Sequence, residues 1–495
     1  MLRMLTLAIT LLMVRWEPFE LPHGKDVLQA QLGRITVPLR RSRPEAGSVE
    51  LAFVRLQTPG EKRAAPIVYL AGGPSASGVG AARNAYAIPT LTRLAQIADV
   101  ILLDQRGIGM SSPKPTCAGQ AVPPQDRFAS SAEVLPRSVA ATRACVEEWT
   151  AKGVDIAGFT VPESAEDIND LRKALGAPKV SLLAHSYGTF LALAAIRAHG
   201  DTIERAALIA TAGPNHMRKL PLMLDAQLAK LSLLAKDDPS IGKEVPDMTA
   251  LLRRVLAKLE REPIAVRITD MKKKEQIEVR IGPDALRRIL IADIGDGHDF
   301  PVFPALLLTI ERGDPSILAW FVEKRYNQAI ASGVDLMHTG MRCSGGATAN
   351  RDREIELEEQ VSIFGSTLNG SFPEVCAALP PNEGGGRLAR QAGGTPAPLN
   401  SMIVSELPIL FISGTLDSNT PPYQAEEVRW SMPRAMHLIV TNAGHEDLEP
   451  SEEVQAVIAD YFAGKDVSAR RVVLPTPDFR SVEEAKRERY VDGNH

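Results

Sequence analysis

Four cysteines among 495 residues are too few for a disulfide-stapled miniprotein, and none stands in the C-x-x-C spacing of a zinc or thioredoxin-like site. No apolar run reaches the roughly 18 residues that a stable membrane span needs. Charge of one sign is also lacking: 56 Lys+Arg face 60 Asp+Glu, a formal net charge of −4. That balance excludes a nucleic-acid footprint and a solvating acidic tail. No repeat of 20–50 residues recurs, which excludes a solenoid. What is there is ordinary for a globular chain, 44% hydrophobic and 23% charged. The length suits two or three domains, or one large domain with an insertion.

The N-terminus offers Arg3 followed by an apolar stretch over 4–14, the layout of a signal peptide. No small-residue cleavage site follows at once; Arg15, Trp16, Glu17 and Pro18 come instead. A buried N-terminal strand or helix is the alternative. The even number of cysteines (Cys117, Cys145, Cys343 and Cys376) fits two disulfides of an oxidising compartment. Four reduced, buried thiols are the alternative, and three connectivities are open. Together these features give an extracytoplasmic expectation, periplasmic or secreted, with the cytoplasm as the alternative.

Two β-rich runs, 35–39 and 49–55, are split by a polar turn and read as an antiparallel hairpin at a sheet edge. Six short runs are mostly apolar: 66–70, 99–103, 179–183, 206–210, 407–413 and 435–440. Such runs, bounded by turns, are strands buried on both faces. Helical spacing fills the gaps at 164–175 and 187–199. Strand-helix alternation means a mostly parallel sheet with helices on both faces. From about 215 to 400 the pattern turns helical, as at 248–261, 284–294 and 315–331, with weak strand signals at 264–267 and 276–281. The expected organisation is therefore a leader and candidate signal peptide over 1–30 and an α/β core over 31–214. A helical cap follows over 215–400, the core resumes over 401–470, and 471–495 is a charged, peripheral extension.

The chemistry concentrates at three strand ends. Ala184-His185-Ser186-Tyr187-Gly188 falls where a strand stops and a helix starts at once, the setting of a nucleophile elbow. Small residues two before and two after the serine let strand and helix pass closely. A serine hydroxyl needs a base, and in this setting the chain order is Ser, acid, His. Of the histidines downstream (His199, His216, His298, His338, His437 and His445), His445 lies in a loop just after the last strand, whereas His437 lies within that strand. Asp417 follows the preceding strand in Gly414-Thr-Leu-Asp417 and can orient the imidazole. Catalytic candidates are thus Ser186, Asp417 and His445. The backbone N–H groups of Tyr187 and Gly73 are the oxyanion-hole candidates, since Pro74 has no N–H. Asp104-Gln-Arg-Gly-Ile-Gly lacks the phosphate-loop lysine, so Asp104 and Arg106 read as structural. No metal or organic cofactor is called for.

These motifs resemble the α/β-hydrolase superfamily, and within it the prolyl aminopeptidase and tripeptidyl aminopeptidase group of serine peptidases. The resemblance rests on Gly72-Gly-Pro74, Asp104-Gln-Arg-Gly-x-Gly-x-Ser111, Ser186-Tyr-Gly-Thr189, Gly414-x-x-Asp417-x-x-Thr420-Pro and Ala443-Gly-His445. It implies an α/β-hydrolase fold with an inserted, mainly helical cap. It implies release of N-terminal residues or short peptides, with a carboxylesterase acting on small acyl esters as the alternative. It further implies the pairings Cys117–Cys145 and Cys343–Cys376. The chain departs from the group in two places. Ser75 follows Pro74 where glycine is frequent, and Gly345 follows Cys343-Ser344 where an acidic residue is frequent. A carboxylate to pair with a substrate ammonium must then come from elsewhere, and Asp293, Asp296, Asp299 and Glu311 are the candidates.

Overall fold

The computed structural model describes residues 13–491, apart from 24–25, 61–63, 84–86, 119–124, 126–127, 332, 371 and 381–398. The central sheet has nine strands: β1 (Arg15–His23), β2 (Asp26–Pro38), β3 (Ser48–Leu56), β4 (Ile67–Leu70), β5 (Val100–Asp104), β6 (Val180–His185), β7 (Ile203–Ile209), β8 (Ile409–Gly414) and β9 (Ala435–Val440). Their spatial order is β1-β2-β3-β5-β4-β6-β7-β8-β9. The first three run antiparallel, and β5 to β9 with β4 form a parallel block. The six apolar runs are the six parallel strands. They can be so apolar because successive residues face opposite cores: Ile101 and Leu103 pack on one side of the sheet, Leu102 on the other. Helices Val161–Ala174 and Tyr187–His199 cover the first face, and Ile88–Leu94 and Glu452–Phe462 the second.

The hairpin of β2 and β3 is not the edge. β1 pairs outside it, from Arg15↔Arg34 to His23↔Asp26, so the leader expected over 1–30 overlaps the sheet from Arg15 onward. β1 carries no apolar alternation, because it is largely exposed and, of its described side chains, buries only Leu21. Trp16 meets Phe53 edge-on at 5.4 Å, and Arg55 stacks over its indole at 4.1 Å. The apolar stretch read at 4–14 lies outside the described residues up to 12.

Between β7 and β8 the chain builds a second, separate core. Helices Pro221–Asp237, Met248–Arg261, Pro283–Asp293, Phe303–Glu311 and Ser316–Ala331 bury Leu228, Leu252, Leu286, Phe303 and Phe321 together. A hairpin of Ile264–Asp270 and Glu275–Ile281 packs on them. This is the inserted helical cap. The stretch 471–495, expected to be peripheral, is instead fastened to both bodies in its described part. Thr441 N–H donates to Val472 O at 3.1 Å beside β9. Phe479, 1% exposed, and Ala485 enter the cap core, where the Phe479 ring lies 6.4 Å from that of Phe300. Two anchors in a charged stretch leave no periodicity to read.

Asp104 and Arg106 organise the loop after β5. Asp104 accepts from Ser77 Oγ, Val79 N and Met110 N, at 2.5, 3.1 and 2.8 Å. Arg106 is fully buried, with a two-pronged bond to Asp167 at 2.7 and 2.6 Å. It also donates to Leu39 O and Gly158 O, both at 2.7 Å. Between them sits Gln105, whose side-chain amide donates to Ala71 O at 3.5 Å, next to the Gly72-Gly73 turn. Arg106→Met strips Asp167 of its best partner and orphans two carbonyls, although Arg41 still reaches that carboxylate at 2.8 Å. A loss of about 3 kcal/mol or more is expected in urea unfolding, with a fall in thermal midpoint.

Candidate active site

The serine turn is built by close approach. Ser186 sits at φ 52°, ψ −123°, a left-handed conformation that a non-glycine residue adopts only when its surroundings over-determine it. Here Ser186 N donates to Ile209 O at 2.9 Å, and the helix Tyr187–His199 begins at once. A Cβ at Gly188 would run into the Leu70 carbonyl oxygen, so the first helical turn lies against the end of β4 and only glycine fits. Gly73, at φ +104°, holds the facing loop in a conformation that side chains resist. Gly73 and Tyr187 both line the cavity into which Ser186 opens.

The three strand-end residues meet. Ser186 Oγ lies 3.0 Å from His445 Nε2, and His445 Nδ1 lies 2.9 Å from Asp417 Oδ2. Asp417 is surrounded by donors: Asn419 N at 2.7 Å and Thr420 N at 2.8 Å on Oδ1, and the Thr420 hydroxyl at 2.6 Å on Oδ2. Burial alone would raise its pKa, but the His445 charge and the hydrogen bonds from His445 and Thr420 prevail and hold it at about 2. An ionised Asp417 makes Nδ1 the protonated nitrogen of His445 and leaves Nε2 to accept from Ser186. Burial opposes a charge on His445 as well, yet Asp417 outweighs it and raises the imidazole pKa above its ordinary value. The His445 loop is braced by the cap, since His445 N donates to Gly295 O at 2.8 Å.

The four carboxylates named as amine candidates lie elsewhere. Asp293 is bound by Arg325, with Lys324 Nζ at 3.7 Å, and Asp299 is bound by Lys324. Asp296 accepts from His298 N at 2.8 Å, and Glu311 pairs with Arg254 at 2.6 Å. None of the four lines the cavity at Ser186. That cavity, about 190 Å³, is bordered instead by Lys219, Arg342, His216 and His338; the two histidines were weighed from sequence only as the base, and the two cations were not named there. Position beside Cys343 was the one available hint for Arg342. Thr420 stood in a quoted motif, but its bond to the Asp417 carboxylate was not legible there. His437 lies in β9 and contacts Glu426 and Ser413, at 2.5 and 3.0 Å.

Both disulfides form as the resemblance implied, Cys117–Cys145 and Cys343–Cys376. Among the described residues, no helix is long and apolar enough to cross a membrane, and no cluster of His, Cys, Asp or Glu has the make-up of a metal site.

Known proteins match in parts. The family described as alpha/beta hydrolase fold matches residues 65–250, and that described as TAP-like protein matches 363–472. Tripeptidyl aminopeptidase of Streptomyces lividans is 30% identical over 205 residues, 38% of this chain and 34% of that protein. Serine protease Hip1 of Mycobacterium tuberculosis (strain ATCC 25618 / H37Rv) is 28% identical over 185 residues, 36% of this chain and 35% of that protein. The match thus spans about a third of the length of these relatives. A solved proline iminopeptidase of Mycobacterium smegmatis is 15% identical, with 92% of this chain and all of that one covered, at a TM-score of 0.38. The chain has the α/β-hydrolase fold and, over these stretches, resembles the tripeptidyl aminopeptidase group of serine peptidases.

Proposed function

We infer that the chain is a serine hydrolase of aminopeptidase type, which releases N-terminal residues or short peptides through an acyl-enzyme on Ser186. The observation that carries this is the continuous contact from Ser186 through His445 to Asp417. In the proposed reaction His445 takes the Ser186 proton as the hydroxyl oxygen attacks the substrate carbonyl. The Gly73 and Tyr187 N–H groups receive the oxyanion. The protonated His445 then gives its proton to the leaving amine, and water repeats the cycle to free the acyl group. The similarity to tripeptidyl aminopeptidase and Hip1 supports a peptide substrate. Two disulfides support an extracytoplasmic site of action.

One observation favours the carboxylesterase alternative: none of the four amine candidates reaches the cavity at Ser186. A panel of prolyl-, alanyl- and tripeptidyl-arylamides beside short acyl esters separates the two. Amide turnover that disappears when the substrate amine is blocked is the expected result. Turnover of esters alone would replace the peptidase reading by the esterase one.

The pH profile follows from the His445 environment. Only the neutral imidazole can accept the serine proton, so activity falls as pH drops through its pKa. Asp417 raises that pKa, so the acid limb of kcat/KM is expected to have its midpoint above the ordinary histidine value of about 6.5. A profile flat from about pH 4 to 8 would exclude a histidine base.

A further inference from the structure

The cavity at Ser186 has a consistent sign. Lys219 and Arg342 border it, and no carboxylate does. Neither cation has a carboxylate within ion-pair distance among the described residues, although cations around them are paired: Arg218 with Asp352 at 2.5 Å, Arg351 with Glu427 at 2.7 Å. Among the described residues, Lys219 Nζ has only the neutral Asn419 side-chain oxygen, at 3.4 Å. Its backbone is pinned on both sides by Asn369, which accepts from its N–H and donates to its carbonyl, each at 2.9 Å. The Arg342 guanidinium lies over the Phe372 ring at 5.1 Å.

The neighbouring groups do not cancel this charge. Gly213 N–H donates to His216 Nδ1 at 3.1 Å, which leaves the proton on Nε2, bonded to Glu427 at 2.8 Å; His216 is neutral there. Burial and Arg342 push His338 down to about 4, so it too is neutral. Asp417 faces Lys219 but is committed to His445 and Thr420. Glu446, next to His445, is exposed and does not line the cavity. Burial lowers Lys219 to about 8, the sign of a cation short of counter-charge. A second cavity of about 220 Å³, walled by Cys343 and Cys376, shares His338 and Arg342 with the first, so Arg342 stands where the two meet.

Half-buried cations without a counter-charge are unfavourable unless something anionic completes the site. The geometry points to a substrate carboxylate, bound by Arg342 and Lys219 beside the scissile bond. Read with Ser186 as nucleophile, on which this inference rests, the chain prefers substrates with a negative charge close to the reacting carbonyl. That carboxylate is either an acidic side chain on the acyl residue or the free C-terminus of a short leaving peptide.

Two isosteric pairs test this. Ala-Ala-Glu-arylamide against Ala-Ala-Gln-arylamide places the charge on the acyl residue. Tetra-alanine against its C-terminal amide places it on the leaving side. In one pair the acid is expected to have a kcat/KM higher by about tenfold or more, and the pair that responds identifies the source. In Arg342→Met, and independently in Lys219→Met, that ratio should fall to about one. No preference for the acid in either pair, or a preference that survives both substitutions, overturns the inference. If nothing is cleaved and a fluorophosphonate does not label Ser186, the nucleophile reading has failed, and binding decides the rest. Calorimetry on Ser186→Ala with N-acetylglutamate and N-acetylglutamine should then show the acid binding at least about tenfold tighter, with the difference lost in Arg342→Met. Equal binding, or none by either ligand, overturns it.

Discussion

Ser186→Ala is expected to lower kcat by about 10⁵–10⁶-fold on every amide or ester the chain turns over. The substitution removes one oxygen and leaves the Cβ in place, so the left-handed turn at φ 52° and the contact of Gly188 with β4 stay as they are. Thermal unfolding should therefore change little, since Ser186 Oγ has His445 Nε2 as its partner and opens on a cavity that water can enter. A residual rate above water would come from the oxyanion donors and from binding. The measurement is a single-turnover assay with a fluorophosphonate labelling control. Full activity in the variant would remove Ser186 from the mechanism.

Asp417→Asn should lower kcat by about 10⁴-fold, through a change of tautomer. All four groups around the carboxylate donate: two backbone N–H groups to Oδ1, and the Thr420 hydroxyl and the His445 ring to Oδ2. An asparagine has one acceptor oxygen, and the two backbone N–H groups hold it at the Oδ1 position. Its NH₂ then faces His445 Nδ1 and can only donate. The imidazole answers by moving its proton to Nε2, where it points at Ser186 and cannot accept. The acid limb of the residual activity should also move below the ordinary histidine value. Burial lowers the His445 pKa, and the charge that offset it is gone. A limb that stays where it was would mean that Asp417 does not set the imidazole's charge.

How far the sequence disclosed this arrangement depends on how each part encodes itself. The parallel strands announce themselves because burial on both faces leaves little room for polar residues. The helix over 248–261 is read at the bounds it adopts, since one apolar stripe and a polar N-cap define it. Ser186, Asp417 and His445 were legible because each follows a strand of that block in a fixed order. Lys219 and Arg342 were not. They come from different stretches, in loop and cap, and converge only once the cap sits over the sheet. β1 was not legible, because it is largely exposed and packs through Leu21 and one indole against Phe53.

The segment that runs from β9 into the cap has a consequence for traffic. A cap joined only at its two chain crossings is free to swing like a flap. This one is stitched a third time, by Phe479 and Ala485 in its own core and by Val472 at the far end of the sheet. That third seam opposes such a swing. The opening onto Ser186 is then expected to keep its width, and turnover to fall off steeply with the girth of the acyl group in a graded series of arylamides.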